Sequence, residues 1–592
     1  MRMAPCLDAG AMGVMRLLEC YAPLFSYGLL IEEQASTPDG PGELATVQAR
    51  ARAIMDEARG KALAAGKPLA DVEMAGFAAV AWFDEIVMRQ DAWKHLASPL
   101  QLELFGTASA ASEFFDHLAR LPPTAEEVRE VFGMALMLGY VGQYYYEQDD
   151  SGELGRIKAL YCRPSITAPG VLQSLQREPI TPQPYLAPGS QPLRLPASWV
   201  GRRSMQFVAA AVVLLVLVAF VAPVFSHVIS MQTWSLLGLG VVAASALAWA
   251  GALAWHRLVV MRAHTRVASH PEASYGIGDV WSVLLDAARH VRGTVLHPFR
   301  RRGEWRKLSR HPWLMFLGDS AAEVRSLLQA AAHAPHARSS ATNTEARPWY
   351  WWIFRSVVAI EPGGYLLQAG GEPHGQASSW SQALALLARE RRKLPLDGMV
   401  LCVSAQSLLE STTQISARAA RLQEMAGEAT RHLQLQLPLY VVVTGLEALP
   451  GHAAVRSTLP SAVFRRVLGW RIALPSPGPT PLHGRMDVRG EEVGHRLRGA
   501  ALAALAVQRH AHGRREVFAF LQSLPMLQRG LQVFLDRLMA GEGSAGRRLL
   551  WCGLYLTGGA RPSAPSGDFV DDLFGRFLSA DRLLARRIAA EG

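Results

Sequence analysis

Through most of the first 163 positions, apolar residues recur at three- and four-residue steps, as in Phe77, Val80, Ala81, Phe83 and Val87. That spacing predicts helices that each bury one face. Glu113 to Leu121 repeats the pattern, Pro122-Pro123 ends it, and Thr124 caps the next helix. Residues 1–163 therefore read as an all-α helical bundle. From Pro164 to Pro196 the periodicity stops, and prolines spread through Ser, Gln and Leu predict a semi-extended tether over 164–203. Two uninterrupted apolar runs follow, Phe207 to Phe225 and Trp234 to Trp255, without a charged residue in either. Each is long enough to span a bilayer, since ~20 helical residues cover ~30 Å. Arg202 and Arg203 precede the first run, and Arg257, Arg262 and Arg266 follow the second. These flanks predict a two-helix transmembrane hairpin over 204–257 with both termini cytoplasmic.

Beyond a basic helical connector (258–310) the period changes. Short apolar runs at Trp313–Leu317, Val357–Ile360, Met399–Val403 and Leu439–Val443 alternate with helical stretches at Ala321–Ala332, Ser378–Arg392 and Ser407–Leu433. Strands of that length separated by helices predict a parallel sheet of βαβ units over 311–475. A Pro/Gly-rich break then leads into a helical extension, 476–592, whose Val517 to Met539 segment carries an apolar face suited to a packed helix pair. The expected architecture is a multidomain membrane protein: helical bundle, transmembrane hairpin, P-loop-like α/β domain and helical extension.

Composition changes this picture little. The 592 residues carry 60 Lys+Arg against 50 Asp+Glu, a net charge of +10. Part of the excess lies between Arg289 and Arg310, opposed by Glu304 alone; it reads as juxtamembrane charge facing anionic lipid rather than a nucleic-acid patch. The five cysteines (Cys6, Cys20, Cys162, Cys402, Cys552) show no paired or metal-ligand spacing, as expected of reduced thiols, with Cys402 a small buried residue in a strand. Asp8 and Arg16 interrupt the one apolar stretch near the start, so no cleavable signal is expected. His510 and His512 point to different faces of a helix, which argues against a metal site. Trp349-Tyr350-Trp351-Trp352 is expected to pack against the sheet edge rather than stack on bases.

At the end of the first strand, Pro312-Trp313-Leu314-Met315-Phe316-Leu317-Gly318 resembles the strand entering the phosphate loop of the IcmF/TssM family of type VI secretion. That family continues Pro-Pro-Gly-x-Gly-Lys-Thr-Thr; this chain continues Asp319-Ser320-Ala321-Ala322-Glu323-Val324-Arg325-Ser326. A phosphate loop needs glycines that let backbone N–H groups curl round the anion, and a lysine reaching the terminal phosphates. Here Val324 stands at the lysine position and Glu323 at the preceding glycine, while Asp319 adds a second carboxylate. Each carboxylate would repel a triphosphate by ~1–4 kcal/mol at surface dielectric. Ser326 survives as a hydroxyl for magnesium. The family's I-D-T-A-G-R-Y corresponds to Ala359-Ile360-Glu361-Pro362-Gly363-Gly364-Tyr365, where Ile360 takes the place of the metal-side Asp unless a one-residue shift places Glu361 there. The family's T-K-x-D corresponds to Thr444-Gly445-Leu446-Glu447, without its lysine. Gly318, Ser326, Glu361, Gly363 and Glu447 are thus the remnants of a nucleotide pocket, and neither nucleotide, metal nor other cofactor is expected.

Further stretches extend the IcmF resemblance from about residue 204 to the end: Arg391 to Val400, Leu439 to Thr444, Ala448 to Gly451, and Gly553 to Gly559. The third span and periplasmic region of that family are not expected here. The first arm resembles the DotU/TssL family, the membrane partner of IcmF. The resemblance rests on Phe83-Asp84-Glu85 with Trp93, on Glu103 to Leu118, and on Gly139-Tyr140-Val141-Gly142-Gln143-Tyr144. It implies that Asp84 and Glu85 line a cytoplasmic cleft that recruits partners. The alternative is an acidic pair satisfied by Arg89, four residues on.

Together these resemblances imply a non-enzymatic inner-membrane scaffold that anchors baseplate and sheath-assembly components, in contact with lipid and not with nucleic acid, and able to form homo-oligomers. Two rivals are a nucleotide-responsive switch and a regulatory decoy lacking the periplasmic region.

Overall fold

The computed structural model describes residues 15–35, 42–93, 98–147, 152–162, 311–332, 349–354, 356–363, 394–471, 482–508, 510–540, 549–559 and 567–580, with a few short pieces between them. The N-terminal half is helical: α1 (Leu17–Gln34), α2 (Leu44–Ala64), α3 (Leu69–Met88), α4 (Leu100–Phe105), α5 (Ala110–Arg120), α6 (Glu126–Met137) and α7 (Glu153–Tyr161). Helix α3 is apolar nearly all round, and a helix of that kind belongs at the centre of a bundle. Ala75 to Asp84 are all buried, with α1, α2, α4, α5 and α6 packed around them. Trp82, Phe83, Phe25, Phe114 and Phe132 fill the interior.

The second half is built on one mixed sheet. Its strands are β1 (Trp313–Gly318), β2 (Arg338–Ser339), β3 (Trp349–Ile353), β4 (Val358–Pro362), β5 (Gly398–Ser404), β6 (Leu435–Thr444), β7 (Leu468–Arg471), β8 (Leu549–Leu556) and β9 (Arg586–Arg587). The order is β2-β3-β4-β1-β5-β6-β8-β7, with β9 pairing β6 off this path. Strands β4, β1, β5, β6 and β8 are parallel, and their runs of Val, Leu and Ile are buried on both faces. The pairs β2–β3, β3–β4, β7–β8 and β6–β9 are antiparallel. The helices of this half are α8 (Val324–Ala332), α9 (Thr412–Leu433), α10 (His452–Thr458), α11 (Ser461–Arg465), α12 (Leu482–Val507) and α13 (Ala511–Met539).

Alternation along the strands sends side chains to two different cores. Leu314, Phe316, Val400, Cys402, Tyr440 and Val442 face α8 and the segment carrying Leu573, Phe574 and Phe577. Met315, Leu317, Leu401, Val403, Val441 and Val443 face the other way, into a core continuous with that of the N-terminal bundle. Helix α13 is the bridge: it packs on α9, α10 and α12 of the sheet half and on α1 of the bundle.

These observations correct the expected architecture in three places. The sheet is mixed rather than parallel, because the Trp-rich run is itself strand β3 and returns antiparallel to β4. The region 476–592 is not a purely helical extension, since β8 inserts beside β6 in the body of the sheet. Its Leu554-Tyr555-Leu556 run is buried on both faces, a pattern that five residues of local sequence cannot separate from a buried helix segment. The transmembrane hairpin over 204–257 lies outside the described residues, as do the connector 258–310 and, apart from Leu175 and Ile180, the tether. Among the described residues no helix is long and apolar enough to cross a membrane, so the hairpin and its two spans have no structural support. Helix α13, the longest among the described residues, carries Arg514, Arg515, Arg529, Asp536 and Arg537.

Two glycines let α13 seat against the sheet half. Gly451 has φ +71°, and a Cβ there would overlap the carbonyl of Glu516; a Cβ on Gly530 would overlap the carbonyl of Leu408.

Candidate functional site

Strand β1 delivers the chain to the position of a phosphate loop, and the loop that follows is closed on itself. The Asp319 carboxylate accepts from the Ala322 N–H at 2.9 Å, and its other oxygen lies 2.8 Å from Arg418 Nε on α9. A carboxylate of the chain thus takes a backbone N–H and a guanidinium of the kind that bind phosphate elsewhere. Gly318 is hemmed in by Ala322, Val324 and the Cys402 carbonyl. Glu323, at the position of a family glycine, retains a left-handed φ of +46°. An L-residue there carries ~1–2 kcal/mol of strain. Glu323→Gly is therefore expected to raise stability by about 1 kcal/mol, read as an increased denaturation midpoint; a decrease would show that the Glu323 side chain contributes more than its backbone costs.

The other pocket remnants are also engaged internally. Ile360 is fully buried in the sheet. Glu361, next to it at the end of β4, accepts from Trp352 Nε1 at 3.0 Å and from Arg325 Nε at 3.2 Å. Burial raises its carboxyl pKa, and the Arg325 charge opposes that rise. Arg325 lies 4.2 Å above the Tyr350 ring, so this guanidinium is held at the β3–β4 edge. Gly363 is buried just beyond β4. Glu447 accepts the Gly559 N–H at 2.7 Å, and a Cβ on Gly559 would collide with both the Glu447 carboxylate and the Ser326 hydroxyl. The structure therefore brings Ser326 and Glu447 together against the loop after β8 and places Glu361 on the other side with Arg325. Among the described residues no group of three or more His, Cys, Asp or Glu side chains is arranged to hold a metal ion.

Asp84 lies inside the bundle and Glu85 is half-buried beside it. Asp84 is 3% exposed, and its two oxygens accept from the backbone N–H groups of Leu100 (3.0 Å) and Gln101 (2.8 Å) at the start of α4. Desolvation pushes its pKa up to about 6, against the pull of those two hydrogen bonds. Glu85 accepts from Val141 N–H (3.0 Å) and Gly142 N–H (2.8 Å) and pairs with Arg89, which also donates to the Gly139 carbonyl at 3.0 Å. Burial raises its pKa too, with Arg89 opposing. The pair thus fixes α4 and the 139–142 turn.

Three side chains that tie distant elements together belong to no local motif. Arg418 reaches Asp319 from a helix far along the chain. Asp397 accepts the Trp313 N–H at 2.7 Å and ties β5 to β1. Asp568, 2% exposed, accepts from Arg456 Nε at 2.8 and 2.9 Å and anchors the segment that covers the α8 face. A carboxylate in an otherwise apolar stretch, as with Asp397 before Gly398, is the one available signal.

The most extensive polar site is the junction between the two halves. Arg529 on α13 pairs with Glu19 on α1 at 2.5 Å, and Arg514 with Glu32 at 2.5 Å. His512 and Arg515 share Glu33 at 2.7 and 3.0 Å, and Arg498 on α12 pairs with Glu130 on α6. Gln522 donates to the Ala22 carbonyl (3.0 Å) and to Ser26 Oγ (2.8 Å). Phe25 meets Phe518 edge-on, centroids 6.0 Å apart. A cavity of about 490 Å³ lies beside these pairs, bounded by α12, α13, Trp470 and the Arg16–Glu19 end of α1.

Two family models match the chain. Residues 16–228 match the type VI secretion system protein DotU, and residues 373–590 match the IcmF-related N-terminal domain. The DotU match runs through the first apolar stretch, which the resemblance above assigns to the IcmF-like part. A relative is TssM1 of Pseudomonas aeruginosa, a type VI secretion system component, 23% identical over 299 residues. The match covers 49% of this chain and 26% of that protein, so the chain spans about a quarter of the relative's length. The bundle and the mixed-sheet half thus each carry their own family signature, and the polypeptide is a DotU segment fused to an IcmF/TssM-like segment of type VI secretion.

Proposed function

We propose that this chain is a non-enzymatic scaffold at the inner membrane in type VI secretion, presenting a DotU-like bundle and an IcmF-related sheet domain as one docked unit that anchors baseplate and sheath-assembly components. The observation that carries this reading is the junction, where ion pairs between residues up to 510 positions apart lock α1 and α6 onto α12 and α13. Carrying both surfaces on one polypeptide fixes the stoichiometry at one to one, and the junction holds a bundle and a sheet domain in a set orientation.

The state of the phosphate-loop position supports the absence of an enzymatic step. Glu323 and Val324 stand where a nucleotide would need glycine and lysine, and the nearby carboxylates of Asp319, Glu361 and Glu447 each already accept from protein donors. A triphosphate would have to displace those carboxylates and meet their charge.

The test is ATP and GTP hydrolysis and binding by the purified full chain with magnesium. Turnover at background and no binding in the micromolar range are expected. Micromolar binding lost in Ser326→Ala or Glu361→Gln would replace the scaffold with a nucleotide switch.

A further inference from the structure

We propose that the junction is an exchangeable contact, through which the bundle of one copy docks on the α12–α13 pair of a second copy of this chain. The first support is the segregation of charge. Glu19, Glu32, Glu33 and Glu130 all lie on the bundle, and the partners across the junction are all basic residues of α12 and α13. In these cross-junction pairs the bundle supplies the acid and α12–α13 the base, with Arg16 of the bundle sharing Glu130, and such complementarity steers two surfaces that recognise one another as separate bodies.

The second support is the polar character of the contact. Gln522 and the ion pairs supply its polar part, and Glu32 Oε2 and Arg514 Nε are buried with no hydrogen-bond partner among the described residues. An apolar centre, where Phe25 meets Phe518 and the two cores run together, beside polar pairs of this kind is the anatomy of an interface between docked bodies.

The third is connectivity. Ile180, whose carbonyl is 3.5 Å from Arg496 Nη1, is the last described residue before His311. Residues 181–310 lie between them, a number that could span at most on the order of 400 Å at ~3.3 Å per residue. The number of residues alone therefore permits either pairing, within one copy or between two. The contacts in the two arrangements are the same, so the choice follows the local concentration of copies against the effective concentration of the tethered arm. Where copies are gathered together, exchange links them into a dimer or a longer array without any new surface.

The experiment places the two halves of one contact on different full-length chains. One tagged chain carries Glu33→Cys, a differently tagged chain carries His512→Cys, both in a Cys6→Ser background; the four cysteines among the described residues are buried. The two are co-expressed and treated with a short bismaleimide. A single chain carrying both cysteines is the control for reach. A cross-linked pair bearing both tags is expected, with a yield several-fold lower at ~1 M salt, where the screening length is ~3 Å. It should also fall several-fold when Arg514→Glu and Arg529→Glu are added to the His512→Cys chain. The proposal is overturned if the control cross-links within its own chain while the two-tag pair never forms. It is equally overturned if the control does not cross-link, because the contact itself would then be absent in solution.

Discussion

Gly451→Ala is expected to lower stability by about 2–5 kcal/mol, a large effect for a single added methyl. Two terms contribute. Gly451 sits at φ +71°, where an L-residue carries ~1–2 kcal/mol of strain. The added Cβ would also overlap the Glu516 carbonyl at the start of α13, and overpacking of a rigid backbone contact costs ~1–3 kcal/mol. Gly530→Ala should show the second term without the first, since it meets the Leu408 carbonyl from a helical backbone. Because α13 joins the bundle to the sheet, its displacement should loosen both halves together. The measurement is the thermal or denaturant midpoint of the full chain, with Gly499→Ala on α12 as control. No atom outside its own helix lies near that position, and alanine should add ~0.5–1 kcal/mol there by helix propensity. Equal midpoints for Gly451→Ala and Gly499→Ala would refute the seating of α13 described above.

Asp84 supplies the second large effect, and its sign follows from its raised pKa. A carboxyl whose folded-state pKa exceeds its unfolded value binds its proton more tightly in the folded chain. Its favourable contribution is complete below the unfolded pKa near 4 and disappears as pH rises through about 6. A two-unit shift corresponds to about 3 kcal/mol between those limits. The wild-type chain should therefore lose on the order of 3 kcal/mol from this group between pH 4 and pH 7. Asp84→Asn should remove that slope, because the amide never ionises. It also gives up one of the two acceptors at the start of α4, costing ~1 kcal/mol at all pH values. Near pH 4 the variant should be the less stable protein and near pH 7.5 the more stable one. Parallel pH profiles for the two proteins would mean that the carboxyl of Asp84 ionises as easily folded as unfolded.

The same residue shows where local reading stops. The helical period through Phe77, Val80, Phe83 and Val87 identifies α3, but it does not distinguish a half-buried helix from the central one. Only packing by α1, α4 and α6 puts Asp84 in the interior and turns an apparently accessible acidic pair into hydrogen-bond acceptors for α4 and the 139–142 turn. The phosphate-loop position behaves differently. The substitutions at Glu323, Val324 and Ile360 are legible one residue at a time, because the chemistry of an anion cradle is local. What fills the position is not: Arg418 joins Asp319, and Gly559 joins Glu447, from elements that share only their place in the sheet.

The amino-acid pattern by itself determined the helical character of the first half, the central strands β1, β4, β5 and β6, the altered phosphate loop, and the fusion of two family resemblances. Each of these is written in short windows whose period or motif depends on neighbours within a few residues. Tertiary structure decided the mixed sheet, the insertion of β8, the burial of Asp84 and the joining of the two halves through α13. Those outcomes depend on pairs such as Glu19 with Arg529, whose attraction acts only after folding has closed the 510 residues between them, and no local periodicity records a contact of that range.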